Sequence, residues 1–181
     1  MTANSSHVKR LSYCALSVAL IAVCSWIAVP TVVPFTLQTF AIFAVLGLLG
    51  GRLGTASIVC YLLVGFAGLP VFAGFSGGVG VLFGPTGGYL IGFVFMGLLC
   101  WLWEKKIGGR AIWSTAILFA GLLLLYAFGT AWFILVYLQQ GTAMTVGTVL
   151  GFCVFPFVLP DLVKLFLAQL LTKRLSRHVH L

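Results

Sequence analysis

The sequence predicts an all-α integral membrane protein, a compact bundle of six transmembrane helices with both termini in the cytoplasm. Three observations carry that expectation. First, 62% of the 181 residues are hydrophobic and only 7% are charged, with a mean hydropathy of +1.21. That leaves too few charges for a solvated surface and makes lipid the solvent. Second, the long apolar runs, such as Ala41 to Leu46 and Ala116 to Ala127, do not alternate polar and apolar residues. A membrane barrel would. Since lipid offers no hydrogen-bond partners, the backbone must pair within helices. Third, the basic residues fall in every second gap between these runs, the pattern of chains whose cytoplasmic loops are positive.

The elements follow in order. Span 1 is expected at 11–29, behind Lys9 and Arg10 and ended by Pro30. It is long enough to cross, and without a convincing small-residue cleavage site it reads as an uncleaved helix rather than a signal peptide. Span 2, at 36–50, is short and stops at Gly50-Gly51, and span 3, at 53–69, stops at Gly68-Leu69-Pro70. Span 4 is expected at 87–103. Span 5, at 111–138, is long enough to need tilt or overhang. Span 6, at 147–172, contains Pro156 and Pro160, which kink or unwind helices. The chain reads as a single transmembrane domain over 1–181, with no internal repeat.

Charge fixes the orientation. Lys9, Arg10, Arg52, Lys105, Lys106, Arg110, Lys173, Arg174 and Arg177 all fall outside the spans and on one side, whereas the loops near 30–35, 70–86 and 139–146 carry no charge. The basic side is the cytoplasm. Trp101, Trp103 and Trp113 then mark the inner interface, and Trp26, Trp132 and Tyr137 the outer one. The net charge of +8 is explained by topology, with no basic stripe for nucleic acid. Cys14, Cys24, Cys60, Cys100 and Cys153 lie in apolar segments without a C-x-x-C pair, and His7, His178 and His180 lie in the tails. Neither set suggests a metal site or a disulfide framework.

Two charges remain. Asp161 and Lys164 lie inside span 6, ~18 Å and ~13 Å back from Lys173 at the helical rise, near the middle of the hydrocarbon core. Charges there are costly unless paired or hydrated, and they mark functional sites. Three-residue spacing puts both on one helix face. They form either an ion pair that packs the bundle or a site for a polar ligand, with Asp161 accepting an N–H and Lys164 donating to an oxygen. The uncharged stretch from Gly65 to Gly92 is too rich in glycine for one helix and too apolar for a free loop. Such backbone packs on protein or lines a cavity.

These segments resemble the BioY family, the biotin-specific substrate-binding (S) components of energy-coupling factor transporters. The likeness lies in Pro34-Phe35-Thr36-Leu37-Gln38-Thr39, in Gly68-Leu69-Pro70-Val71-Phe72-Ala73-Gly74, in Gly84-Pro85-Thr86-Gly87-Gly88-Tyr89-Leu90 and in Asp161-x-x-Lys164. The motifs occur in matching order across roughly 10–175. The resemblance implies a six-helix bundle of S-component type that binds biotin from outside, with Asp161 and Lys164 on the ligand. Phe72, Phe75, Phe83 and Tyr89 are candidate walls for its apolar ring, and Gln38 and Thr39 candidate hydrogen-bonding groups. Some members carry an amide in the glycine-rich loop. Phe75-Ser76-Gly77-Gly78 has none, which makes Ser76 the candidate substitute. Ala15, Ala19 and Ala22 place small residues along span 1, a pattern that lets another helix approach. That helix is either inside the bundle or, as the resemblance implies, the transmembrane coupling subunit.

The chain has no G-x-x-x-x-G-K-[ST] loop, so the ATP of such a transporter would be used by partner ATPase subunits. No cofactor is expected on this chain, only biotin as the transported ligand. Alternatives are an S-component for another small vitamin and, from a different class, a structural membrane subunit. An enzyme is disfavoured, because no Ser/His or Cys/His set reaches the membrane interior.

Overall fold

The structure is a computed structural model that describes residues 2–107, 111–142 and 144–176. Arg110 and Arg177 lie outside the described residues, as do His178 and His180, and the side chain of Trp113 is likewise not described. Helix α1 covers Thr2–Trp26, α2 Gln38–Phe66, α3 Val79–Leu82, α4 Gly87–Ile107, α5 Ala111–Gln139, α6 Val146–Cys153 and α7 Phe155–Leu175. Counting α6 and α7 as one stretch, five helical segments are long and apolar enough to cross a membrane.

Helix α2 is two arms. Gly50 has φ 74° and ψ 173°, a conformation that only glycine enters cheaply. The chain reverses there, and the Gln38 amide on the first arm donates to the Tyr61 hydroxyl on the second at 3.0 Å. Had the helix run straight, those residues would lie ~35 Å apart. The stretches expected as spans 2 and 3 form the two arms of α2, and a single residue makes the turn between them. The turn rests on α4: a Cβ added to Gly51 would lie 2.2 Å from the Trp101 backbone nitrogen. Glu104 Oε2 accepts the Gly51 N–H at 2.7 Å, satisfying a donor at the start of the second arm.

Elsewhere the boundaries move. Helix α1 ends at Trp26 rather than near 29, because Ala28–Val29 pairs antiparallel with Phe35–Thr36 as strands β1 and β2. This small ribbon is the one sheet among the described residues, and an isolated antiparallel bridge joins Phe72 to Ser76. The last span breaks at Val154 (φ −125°, ψ −59°), and Pro156 sits in the first turn of α7, where a missing N–H costs nothing. Pro160 lies within α7.

Apart from Lys164, the described basic residues collect at one end. Cys14 of α1 meets Ser57 of α2, which sets Lys9 and Arg10 beside the Gly50 turn and Arg52. Glu104 brings the end of α4 to the same turn, and Thr172 of α7 packs over Gly47. The glycine-rich stretch crosses the opposite end. It contains a 3₁₀ turn at Ala73–Phe75 and α3. Ser25 and Tyr61 both donate to the Val71 carbonyl, at 2.6 and 2.9 Å. Trp26 Nε1 donates to Pro70 O at 2.9 Å, and Trp132 Nε1 to Gly84 O at 3.0 Å. The stretch is thus tied to α1, α2 and α5. Phe72 anchors it from below, fully buried, with its ring edge-on to Tyr61 at 5.5 Å.

Candidate ligand-binding site

Beneath this stretch lies a cavity of about 310 Å³, at the small end of the usual range for ligand pockets. The loop forms its roof through Ser76, Gly80, Val81 and Gly84 to Thr86. Tyr89, Leu90 and Phe93 of α4, Leu125 and Tyr126 of α5, Cys153 of α6 and Phe157 of α7 form apolar walls. Polar groups cluster where the ribbon, α2 and α7 meet: Thr36, Gln38, Thr39, Asp161 and Lys164.

Asp161 and Lys164 are 2% and 5% exposed and form an ion pair, with Nζ 2.8 Å from Oδ1. Their three-residue spacing on α7 makes them neighbours. The pair is satisfied by groups brought from far along the chain. Lys164 Nζ donates to the Thr36 carbonyl at 2.7 Å and to Thr39 Oγ1 at 3.2 Å. Thr39 Oγ1 donates to Asp161 Oδ1 at 3.0 Å, and the Tyr126 hydroxyl donates to Oδ2 at 2.7 Å. The ammonium also lies over the Phe35 ring, 4.0 Å from its centroid, a cation–π contact strengthened by desolvation. A charge pair taken out of water persists when most of its remaining hydrogen-bonding capacity is used in this way.

The structure brings together most of the residues singled out in the sequence. Gln38, Thr39, Phe72, Ser76, Tyr89, Asp161 and Lys164 all border the cavity. Two candidate wall residues do not. Phe75 is 63% exposed and stacks on Trp26 at 5.0 Å, and Phe83 is 62% exposed. Phe75 has φ +56°, and this left-handed turn aims its ring outward. Ser76 Oγ is engaged with Ala73 O at 2.7 Å. Tyr89 is held against α5: its hydroxyl meets Thr130 Oγ1 at 3.2 Å, and a Cβ on Gly129 would strike its ring at 2.3 Å. Of the small residues on α1, Ala15 and Ala19 are exposed whereas Ala22 is buried.

Sequence reasoning passed over Tyr126, and it placed Phe35 and Thr36 in a motif without giving either a role in the site. Tyr126 carried a signal: it is a phenol in the middle of an otherwise apolar span, and a buried hydroxyl needs a partner. Thr36 stood in a quoted motif, but its bond to Lys164 is made by the backbone carbonyl, which residue type does not reveal. The arrangement as a whole is a chamber with mostly apolar walls and one ion pair of no net charge, suited to a small ligand with an apolar body and a few polar atoms.

Comparison with known proteins agrees with that chemistry. The chain resembles the "Biotin transporter BioY" of Thermotoga maritima, with 41% identity over 94% of this chain and 97% of that one. It is 38% identical to the "Probable biotin transporter BioY" of Pyrococcus horikoshii, over 93% of this chain and 96% of that one. Its fold superposes on the crystal structure of the S-component for biotin from an ECF-type ABC transporter with a TM-score of 0.84. The identity there is 29%, over 98% of this chain and 95% of the other. With its whole length, residues 1–181, matching the BioY family, this multi-pass membrane protein belongs to that family.

Proposed function

We propose that this chain captures biotin as the substrate-binding subunit of an ATP-driven transporter of the energy-coupling factor type. The observation that carries the reading is the buried Asp161–Lys164 pair in the wall of a small apolar cavity. Biotin offers two ureido N–H donors, a ureido oxygen, an apolar sulfur ring and a carboxylate. In this reading Asp161 takes an N–H and Lys164 an oxygen. Phe72 and Tyr89 flank the ring, and Gln38, Thr39 and Ser76 supply further polar contacts. Membership of the BioY family and likeness to a biotin S-component support it.

The reading counts six crossings: α1, the two arms of α2, α4, α5, and α6 with α7 as one. Both termini lie in the cytoplasm and the cavity faces outward, in keeping with basic residues at one end and the cavity at the other. The exposed Ala15 and Ala19 face is offered to a transmembrane coupling subunit, which close-packing small residues favour. Ala22, being buried, packs inside the bundle instead. ATP is hydrolysed by separate partner subunits, and this chain is a transport subunit rather than an enzyme.

Titration calorimetry of the detergent-purified chain with biotin tests the reading, beside Asp161→Asn and Lys164→Ala. Tight binding by the wild type that collapses in both variants is the expected result. Tight binding unaffected by either change would move the site elsewhere. No binding by folded wild type would overturn biotin as the ligand and favour another vitamin or a structural role.

A further inference from the structure

We infer that Tyr126 is a positioning residue that leaves Asp161 a single acceptor position for the ligand, and so restricts this wall of the cavity to one N–H donor. The inference rests on the biotin reading above. It follows from counting donors and acceptors around the pair.

A carboxylate oxygen has two lone-pair directions, and an ammonium has three N–H donors. Asp161 Oδ1 accepts from Lys164 at 2.8 Å and from Thr39 at 3.0 Å, so it is full. Oδ2 accepts from Tyr126 at 2.7 Å and has one direction left. All three N–H groups of Lys164 are in use, on Thr36 O, Thr39 Oγ1 and Asp161 Oδ1. The pair as it stands therefore offers one acceptor and no free donor. A ligand N–H docks at Oδ2 without breaking any bond. A ligand oxygen reaches Lys164 only by displacing a partner, and Thr39, at 3.2 Å, is the most weakly held.

Tyr126 has no other polar partner among the described residues and stands on α5, whereas Asp161 stands on α7. Among the described residues its hydroxyl is the one group that ties down Oδ2. Without it the carboxylate would be held at Oδ1 alone, free to rotate, with two acceptor directions on Oδ2. Tyr126 therefore governs how many N–H groups Asp161 accepts and where they sit, through Asp161 rather than through bulk.

The chain itself provides a reporter. It holds only two acidic residues, and the other is Glu104, so Asp161 is its one aspartate. Cell-free synthesis with aspartate carrying ¹³C at the side-chain carboxyl labels this one carboxylate, and its antisymmetric stretch is the infrared band to follow. Tyr126→Phe keeps the ring and removes the hydroxyl. The expected result is a shifted Asp161 carboxylate band in the ligand-free protein and biotin affinity about tenfold weaker, the scale of a hydrogen bond to a charged group. The loss should be smaller for a biotin analogue methylated on the ureido nitrogens, which has no N–H to place. An unmoved band overturns the inference. So does a moved band with unchanged biotin affinity, and so does an equal loss for biotin and the methylated analogue, which would mark a structural role. Failure of the wild type to bind biotin would overturn the ligand and the N–H assignment together, while the band would still show whether Tyr126 fixes Asp161.

Discussion

Lys164 reaches across 128 positions of sequence to donate to the Thr36 carbonyl at 2.7 Å. This bond ties the ribbon after α1 to the middle of α7, so one ammonium both neutralises Asp161 and holds the ribbon in place.

Breaking the pair from either side should therefore cost more than removing it whole. Lys164→Met leaves a buried carboxylate without its cation, and Asp161→Asn leaves a buried ammonium without its anion. Each is expected to lose about 3–5 kcal/mol, read as lower thermal stability in detergent. The double variant should lose less than either single one, because no unpaired charge is left buried.

The roof of the cavity hangs on Val71. Its carbonyl accepts from both Ser25 and Tyr61, and Tyr61 also accepts from Gln38 in the cavity. Tyr61→Phe should speed ligand release several-fold, the scale of a net hydrogen bond of about 1 kcal/mol. Adding Ser25→Ala should cost more than its own share, since the carbonyl is then left with neither side-chain donor. Dissociation rates of labelled ligand measure both.

Phe72 fills a notch made by Gly65, where an added Cβ would lie 2.1 Å from the ring. Gly65→Ala should lift the ring at a cost of about 1–3 kcal/mol. Hydrogen exchange should rise across 67–78, and affinity should fall by ten-fold or more. The basic end of the bundle should be unaffected.

Glu104 gives the opposite pattern. Its bond to the Gly51 N–H lies at the far end from the cavity. Glu104→Ala should lower stability by about 1 kcal/mol, as for a lost helix cap, and leave ligand affinity within two-fold of wild type. A comparable fall in affinity would show that the α2 turn communicates with the site.

How much was legible in the sequence depended on whether a residue's role was visible in its own type. Asp161 and Lys164 announce themselves, because charge in an apolar span has to be explained. Gly50-Gly51 marked the α2 reversal. Phe75 misled because aromatic type alone does not tell a cavity wall from an outer face. Its direction is set by a positive φ that sequence does not display in a non-glycine residue. Ala28–Val29 and Thr36 read as helix ends and Phe35 as loop, since two-residue strands are too short for a period. The break at Val154 was placed only as far as Pro156 and Pro160, because the chain could unwind before or after either one.

The buried pair also bears on how the site meets an electric field. Moving one unpaired elementary charge through the transmembrane potential involves about 2.3 kcal/mol per 100 mV. Asp161 and Lys164, 2.8 Å apart, travel together as a short dipole with no net charge. If the bundle swings to deliver its cargo, the protein's half of the site adds almost nothing to the voltage dependence. Any such dependence would then come from a charge carried by the cargo or from the subunits that drive the swing.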